Sequence, residues 1–162
     1  MFGHKRKGMA AAGSKAPAFQ LTGLDGEPHS LEQILQRGPA LLMFYKISCP
    51  VCQLTTPYLQ RLAAGGSLQV VGISQDDAGA TRAFNQRFGV TFPTLVDPES
   101  QDYPASNAFG ISSVPALFVL ESDGAISKSF SGFSKGDLVA LGERAGIQIF
   151  RPAENVPEWK AG

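Results

Sequence analysis

Two cysteines, Cys49 and Cys52, are the only ones in a chain of 162 residues. They stand three apart in the run Cys49-Pro50-Val51-Cys52. A structural disulfide restrains the unfolded chain more when it closes a longer loop, and a two-residue loop restrains almost nothing. A structural zinc site needs four ligands, and the remaining imidazoles are His4 in a basic leader and His29 in a turn. No metal is therefore expected. The chemistry left is thiol–disulfide exchange, which needs a thiolate to attack and a second thiol to resolve the mixed disulfide. The alternatives are two inert core cysteines, or a redox-sensing or soft-metal module holding an ion such as Cu(I).

The elements around the pair are arranged to position it. Ala40-Leu41-Leu42-Met43-Phe44-Tyr45 is continuously apolar, as in a strand covered on both faces. It leads directly to Cys49. From Cys52 to Ala64 the pattern turns helical, with Leu54, Tyr58, Leu59 and Leu62 on neighbouring turns, and Pro57 is expected to kink it. Pro50 suits the first helical position, where its missing N–H loses no partner. Cys49 then falls at the helix start, where unpaired N–H groups and the helix dipole favour a thiolate over the free thiol, which titrates near about 8.5. Cys52, one turn in, is expected to be buried and protonated. Cys49 is thus the expected attacker and Cys52 the resolver. Lys46 is the nearest charge in sequence and a candidate stabiliser of the thiolate.

The remaining chain reads as an α/β domain. Ala18–Leu21 suggests a strand, followed by the Asp25-Gly26 turn signal and a short helix from Ser30 to Gln36. Leu68–Ile73 is a second apolar strand, Asp76–Phe88 a helix, and Thr94–Val96 a short strand. Residues 98–108 are turn-rich. Ala116–Leu120 and Ala125–Phe133 flank the turn Ser122-Asp123-Gly124, and Lys135–Ala145 is a last helix capped by Ser134. The expected fold is a central mixed sheet with helices on both faces and an N-terminal β-hairpin extension. Residues 1–15 read as a flexible leader, 16–146 as the domain and 147–162 as a tail.

Composition excludes other classes. Basic and acidic side chains balance at 14 each. No charge excess draws the chain to nucleic acid or an anionic membrane. The cluster His4-Lys5-Arg6-Lys7 reads as a solvated tail. No apolar run approaches the roughly 20 residues a bilayer span needs. No secretory h-region follows the basic residues. The expectation is a cytoplasmic chain, or an exported one that has lost its signal.

Several segments together resemble the thioredoxin superfamily. Phe44-Tyr45-Lys46-Ile47-Ser48-Cys49-Pro50-Val51-Cys52 is similar to its active-site region, and Pro57 to its helix proline. Gly110-Ile111-Ser112-Ser113-Val114-Pro115-Ala116-Leu117-Phe118-Val119-Leu120 resembles its cis-proline loop and following strand. Ala16-Pro17-Ala18-Phe19-Gln20-Leu21 and Phe92-Pro93-Thr94-Leu95-Val96-Asp97-Pro98 resemble the redoxin branch, which includes TlpA-like, AhpC/TSA-like and peroxiredoxin proteins. The resemblance implies a thioredoxin-like fold without a cofactor and a cis bond before Pro115. It also implies a Val114 backbone that pairs with the substrate chain. Substrate contacts are then expected from Ser48, Pro50, Val51, Val114 and Pro115. The expected partners are a protein or peptide disulfide and a thiol electron donor, with the chain acting as a monomer.

Two departures qualify this. The family's buried acid, six residues before the first cysteine, falls on Met43. The acid of TlpA-like reductases, three residues after the second, falls on Thr55. No carboxylate near in sequence can take the proton of Cys52. A thiol peroxidase is the other enzymatic reading. The peroxiredoxin pattern P-x-x-x-T/S-x-x-C would need its proline and hydroxyl at Leu42 and Lys46 for Cys49, or at Tyr45 and Cys49 for Cys52.

Overall fold

The computed structural model describes residues 8–162; the basic cluster at residues 4–7 lies outside them. A seven-stranded sheet has the order β2-β1-β5-β4-β3-β6-β7. Its members are β1 (Gln20–Gly23), β2 (Pro28–Ser30), β3 (Ala40–Tyr45), β4 (Gln69–Ser74), β5 (Thr94–Val96), β6 (Ala116–Leu120) and β7 (Ile126–Ser131). β3 runs parallel to β4 and antiparallel to β6, so the sheet is mixed. The helices are α1 (Leu31–Gln36), α2 (Pro50–Gly65), α3 (Ala78–Arg87), α4 (Pro104–Ala108) and α5 (Lys135–Ala145).

All six residues of β3 are buried, and the two-residue period of a strand divides them between two cores. Leu41, Met43 and Tyr45 pack with Cys52, Leu59 and Leu62 of α2 and Leu138 and Leu141 of α5. Ala40, Leu42 and Phe44 pack with Leu31, Ile34 and Leu35 of α1 and with Ala105 and Phe109. A continuously apolar strand is what a sheet covered on both faces requires.

The boundaries shift where side chains compete for the ends. The first strand begins at Gln20, where pairing with β2 across the Gly26 turn starts, rather than at Ala18. The third helix begins at Ala78, not Asp76, because Asp77 is its cap and accepts the Ala80 N–H at 2.8 Å. β7 stops at Ser131 because Gly132 turns the chain at φ +76°.

Both ends of the described chain lie against the domain. The Ala10 N–H donates to Phe109 O and the Gly13 N–H to Ile126 O, each at 2.8 Å. After α5, Ile149 and Phe150 are buried. Arg61 holds both carboxylate oxygens of Glu154 at 2.6 and 2.7 Å. A last two-residue strand, β9 (Trp159–Lys160), pairs antiparallel with β8 (Phe133–Ser134). Among the described residues no helix is long and apolar enough to cross a membrane.

Candidate functional site

The site forms where β3 ends and α2 begins. Between them, residues 46–49 make a turn closed by the Cys49 N–H donating to Lys46 O at 3.3 Å. Cys49 is the N-cap of α2 and Pro50 its first residue. The Cys49 sulfur accepts the Cys52 N–H at 3.1 Å. An N-cap accepts one of the backbone donors that the first helical turn cannot pair internally, and here the acceptor is sulfur. The helix continues through Pro57, which has no N–H to donate to the Gln53 carbonyl.

The two thiols differ in environment. Cys49 is partly exposed and Cys52 is fully buried; both are free. Burial pushes the Cys52 thiol far up, and the neighbouring Cys49 and the charge of Asp76 push the same way against a backbone hydrogen bond from Lys46. Cys52 therefore holds its proton at neutral pH.

A loop distant in sequence completes the surface. The Val114–Pro115 bond is cis, as the resemblance implied. The Val114 carbonyl lies 3.4 Å from the Cys49 sulfur. Ser48 and Pro50 are exposed and Val51 and Val114 partly so, while Pro115 is buried. The structure brings these residues together around Cys49. Lys46 is exposed at the end of β3 and lines a cleft with Ser48, Asp76 and Tyr103.

Neither missing acid is replaced in place. Met43 is buried in the sheet. Thr55 is buried too, and its hydroxyl donates to Val51 O at 2.7 Å. The carboxylate that does reach the site is Asp76, just beyond β4, which sequence reasoning assigned to a helix. Its Oδ2 accepts the Ile47 N–H at 2.8 Å, inside the turn that carries Cys49. Gln53 Nε2 donates to the Ile47 carbonyl at 2.9 Å, so the two peptides flanking the Ile47 Cα are each held by a side chain. The parallel register of Tyr45 with Ser74 is what carries Asp76 alongside Ile47. A register signal of that kind is absent from a single sequence.

The geometry also bears on the rival chemistries. Lys46, at the position where a peroxiredoxin carries its hydroxyl, is exposed and brings an ammonium instead, and Leu42, at the proline position, is buried in β3. The Thr55 and Thr56 hydroxyls are bound to carbonyls of their own helix. His29 pairs with Asp25 at 2.9 Å on the edge strand β2, away from β3 in the sheet order. No group of three or more His, Cys, Asp or Glu able to hold a metal occurs among the described residues.

Residues 12–129 match the model of the AhpC/TSA family. The thiol-disulfide oxidoreductase ResA of Geobacillus thermodenitrificans is 32% identical over 130 residues, which cover 78% of this chain and 72% of that protein. The putative peroxiredoxin Rv2521 of Mycobacterium tuberculosis is 31% identical over 126 residues, covering 70% of this chain and 80% of that protein. Among solved structures, a secreted Mycobacterium tuberculosis disulfide oxidoreductase matches with a TM-score of 0.63 and 26% identity, over 76% of this chain and 92% of that one.

Proposed function

The chain belongs to the AhpC/TSA family, in the redoxin branch of the thioredoxin superfamily, and is a thiol–disulfide oxidoreductase; from that premise we propose that Cys49 attacks protein or peptide disulfides and Cys52 resolves the intermediate. The observation that carries this is the division between the thiols. One is accessible and capped against a helix N-terminus, and the other is buried and protonated one turn away.

The Cys49 thiolate attacks one sulfur of the substrate disulfide. A Cys49–substrate bond forms, the substrate S–S bond breaks, and the departing thiolate takes a proton. Cys52 then gives up its proton and attacks the Cys49 sulfur, forming the Cys49–Cys52 disulfide and expelling the second substrate thiolate, which is protonated in turn. Two electrons pass from the protein to the substrate, with one proton from Cys52 and one from solvent, equivalent to the one Cys49 lost on ionising. A thiol donor returns them.

Ser48, Pro50, Val51 and Val114 form the docking patch, with buried Pro115 beneath it shaping the loop rather than touching substrate as the sequence suggested, and the Val114 backbone pairs to the substrate chain as an added strand. Lys46 lends positive charge to the rim. The protein works as a monomer. In a reducing cytosol it runs as a reductase, and in an oxidising compartment the same couple can run the other way; measuring the reduction potential against that of glutathione tests the direction.

The test of roles is a pair of variants. Cys49→Ser is expected to abolish reduction of a disulfide-bonded peptide. Cys52→Ser is expected to accumulate the Cys49–peptide adduct, visible by mass spectrometry. Full activity in Cys49→Ser would overturn the assignment. Fast, saturable peroxide turnover dependent on Cys49 would favour the peroxidase reading.

A further inference from the structure

The far end of the described chain comes back to the site. β9 pairs Lys160 with Phe133 and Trp159 with Ser134, and the Lys135 N–H donates to Glu158 O at 3.0 Å. Beyond the ladder the backbone runs onto the Val114–Pro115 loop. A Cβ placed on Gly162 would collide with the Val114 carbonyl oxygen and come within 3.1 Å of Pro115 Cδ. Gly132 is the fulcrum. Its N–H donates to Pro115 O at 2.9 Å, and a Cβ there would strike the Lys160 carbonyl. The carbonyl that Gly162 crowds is the one 3.4 Å from the Cys49 sulfur.

The segment is firm at its root and weak at its tip. Its root is held by buried Ile149 and Phe150, by the bidentate Arg61–Glu154 pair and by a bond from Arg61 to Ile149 O at 2.9 Å. Its tip is a two-residue ladder with Trp159, Lys160 and Gly162 exposed. The Lys135–Glu158 pair beside it spans 3.5 Å in solvent, where such pairs contribute little. A short exposed ladder opens locally without unfolding what lies beneath it.

We propose that residues 158–162 are a strap over the Val114 rest that selects substrates by their backbone. An extended peptide must lift the strap to add a strand at Val114. A small disulfide reaches the Cys49 sulfur without doing so. This rests on the assignment of Cys49 as attacker and Val114 as substrate rest. A rest open about a tenth of the time weakens apparent peptide affinity about tenfold, with no effect once the complex has formed.

The test compares the full chain with two variants, one ending at Pro157 and one carrying Lys160→Pro. Both leave Arg61, Glu154, Ile149 and Phe150 in place, and a proline inside the ladder disfavours pairing. Each is assayed on a disulfide-bonded peptide and on bis(2-hydroxyethyl) disulfide. The expected result is a KM for the peptide lower by about tenfold in both variants, with kcat unchanged and the small disulfide reduced as before. An unchanged or higher peptide KM overturns the proposal. So does an equal gain on both substrates, which would mean that the segment restrains the thiols rather than the rest. Absence of Cys49-dependent turnover on either substrate, in the full chain and both variants, would overturn the assignment of the thiols and the strap with it.

Discussion

Helices α2 and α5 begin with the same device and different atoms. In α5 the Ser134 hydroxyl accepts the Asp137 N–H at 3.3 Å. In α2 the Cys49 sulfur accepts the Cys52 N–H at 3.1 Å. Both side chains satisfy a donor that the first turn leaves unpaired. The oxygen cap carries no reactive atom. The sulfur cap adds a nucleophile. One position in the fold can therefore be spent on stability or on reactivity, and the choice turns on a single atom.

The sharpest way to break the comparison is to make the caps alike. Cys49→Ser keeps an acceptor at the α2 start. Disulfide reduction is expected to fall by orders of magnitude while the thermal midpoint stays close to that of the parent. A large loss of stability would show that sulfur is needed for folding at this position. The converse is Ser134→Ala. Loss of a side-chain cap costs about 1 kcal/mol, so denaturant unfolding should show that loss with the rate of disulfide reduction unchanged.

Asp76→Asn sharpens the comparison from the acidic side. The amide oxygen can still accept the Ile47 N–H, but the charge that opposes ionisation of Cys52 is gone. Burial, the larger cause, remains, so the expected outcome is a small shift to lower pH in the alkaline onset of Cys52 thiolate absorbance, read in the Cys49→Ser background. A merely structural role for Asp76 would leave that onset in place. Smallest is an effect at the far end of α5, where Arg144 holds Glu121 through both carboxylate oxygens at 2.6 and 2.7 Å. That ion pair and a hydroxyl bond from Ser127 lower the Glu121 carboxyl to about 2 from 4.5. A depressed carboxylate stabilises the fold fully above its unfolded value and loses that contribution as pH falls toward the folded one. Acid unfolding between pH 4.5 and 2 should thus be slightly shallower in Glu121→Gln.

What could be read in the sequence was local. The six apolar residues of β3, the Cys49-Pro50 start of α2 and the Ser30 and Ser134 caps each carry their signal within a few residues, and the structure shows them there. Two adjacent aspartates show where local reading ends. Both fit a helix start, yet Asp77 caps α3 while Asp76 turns back to Ile47, 29 residues earlier. Only strand register distinguishes them. The lap of Trp159 and Lys160 on Phe133 and Ser134 was equally out of reach, since it depends on Gly132 leaving room for a carbonyl.

That lap has an optical consequence. Trp159 is the chain's only tryptophan and lies in β9, 62% exposed. Indole emission therefore comes from one place, the short strand that leads to Gly162 and the Val114 carbonyl, with the three tyrosines as the other near-ultraviolet emitters. A fluorophore built into the chain rides on the proposed strap, so lifting of that segment by a peptide is expected to change its colour and quenching, without an attached dye.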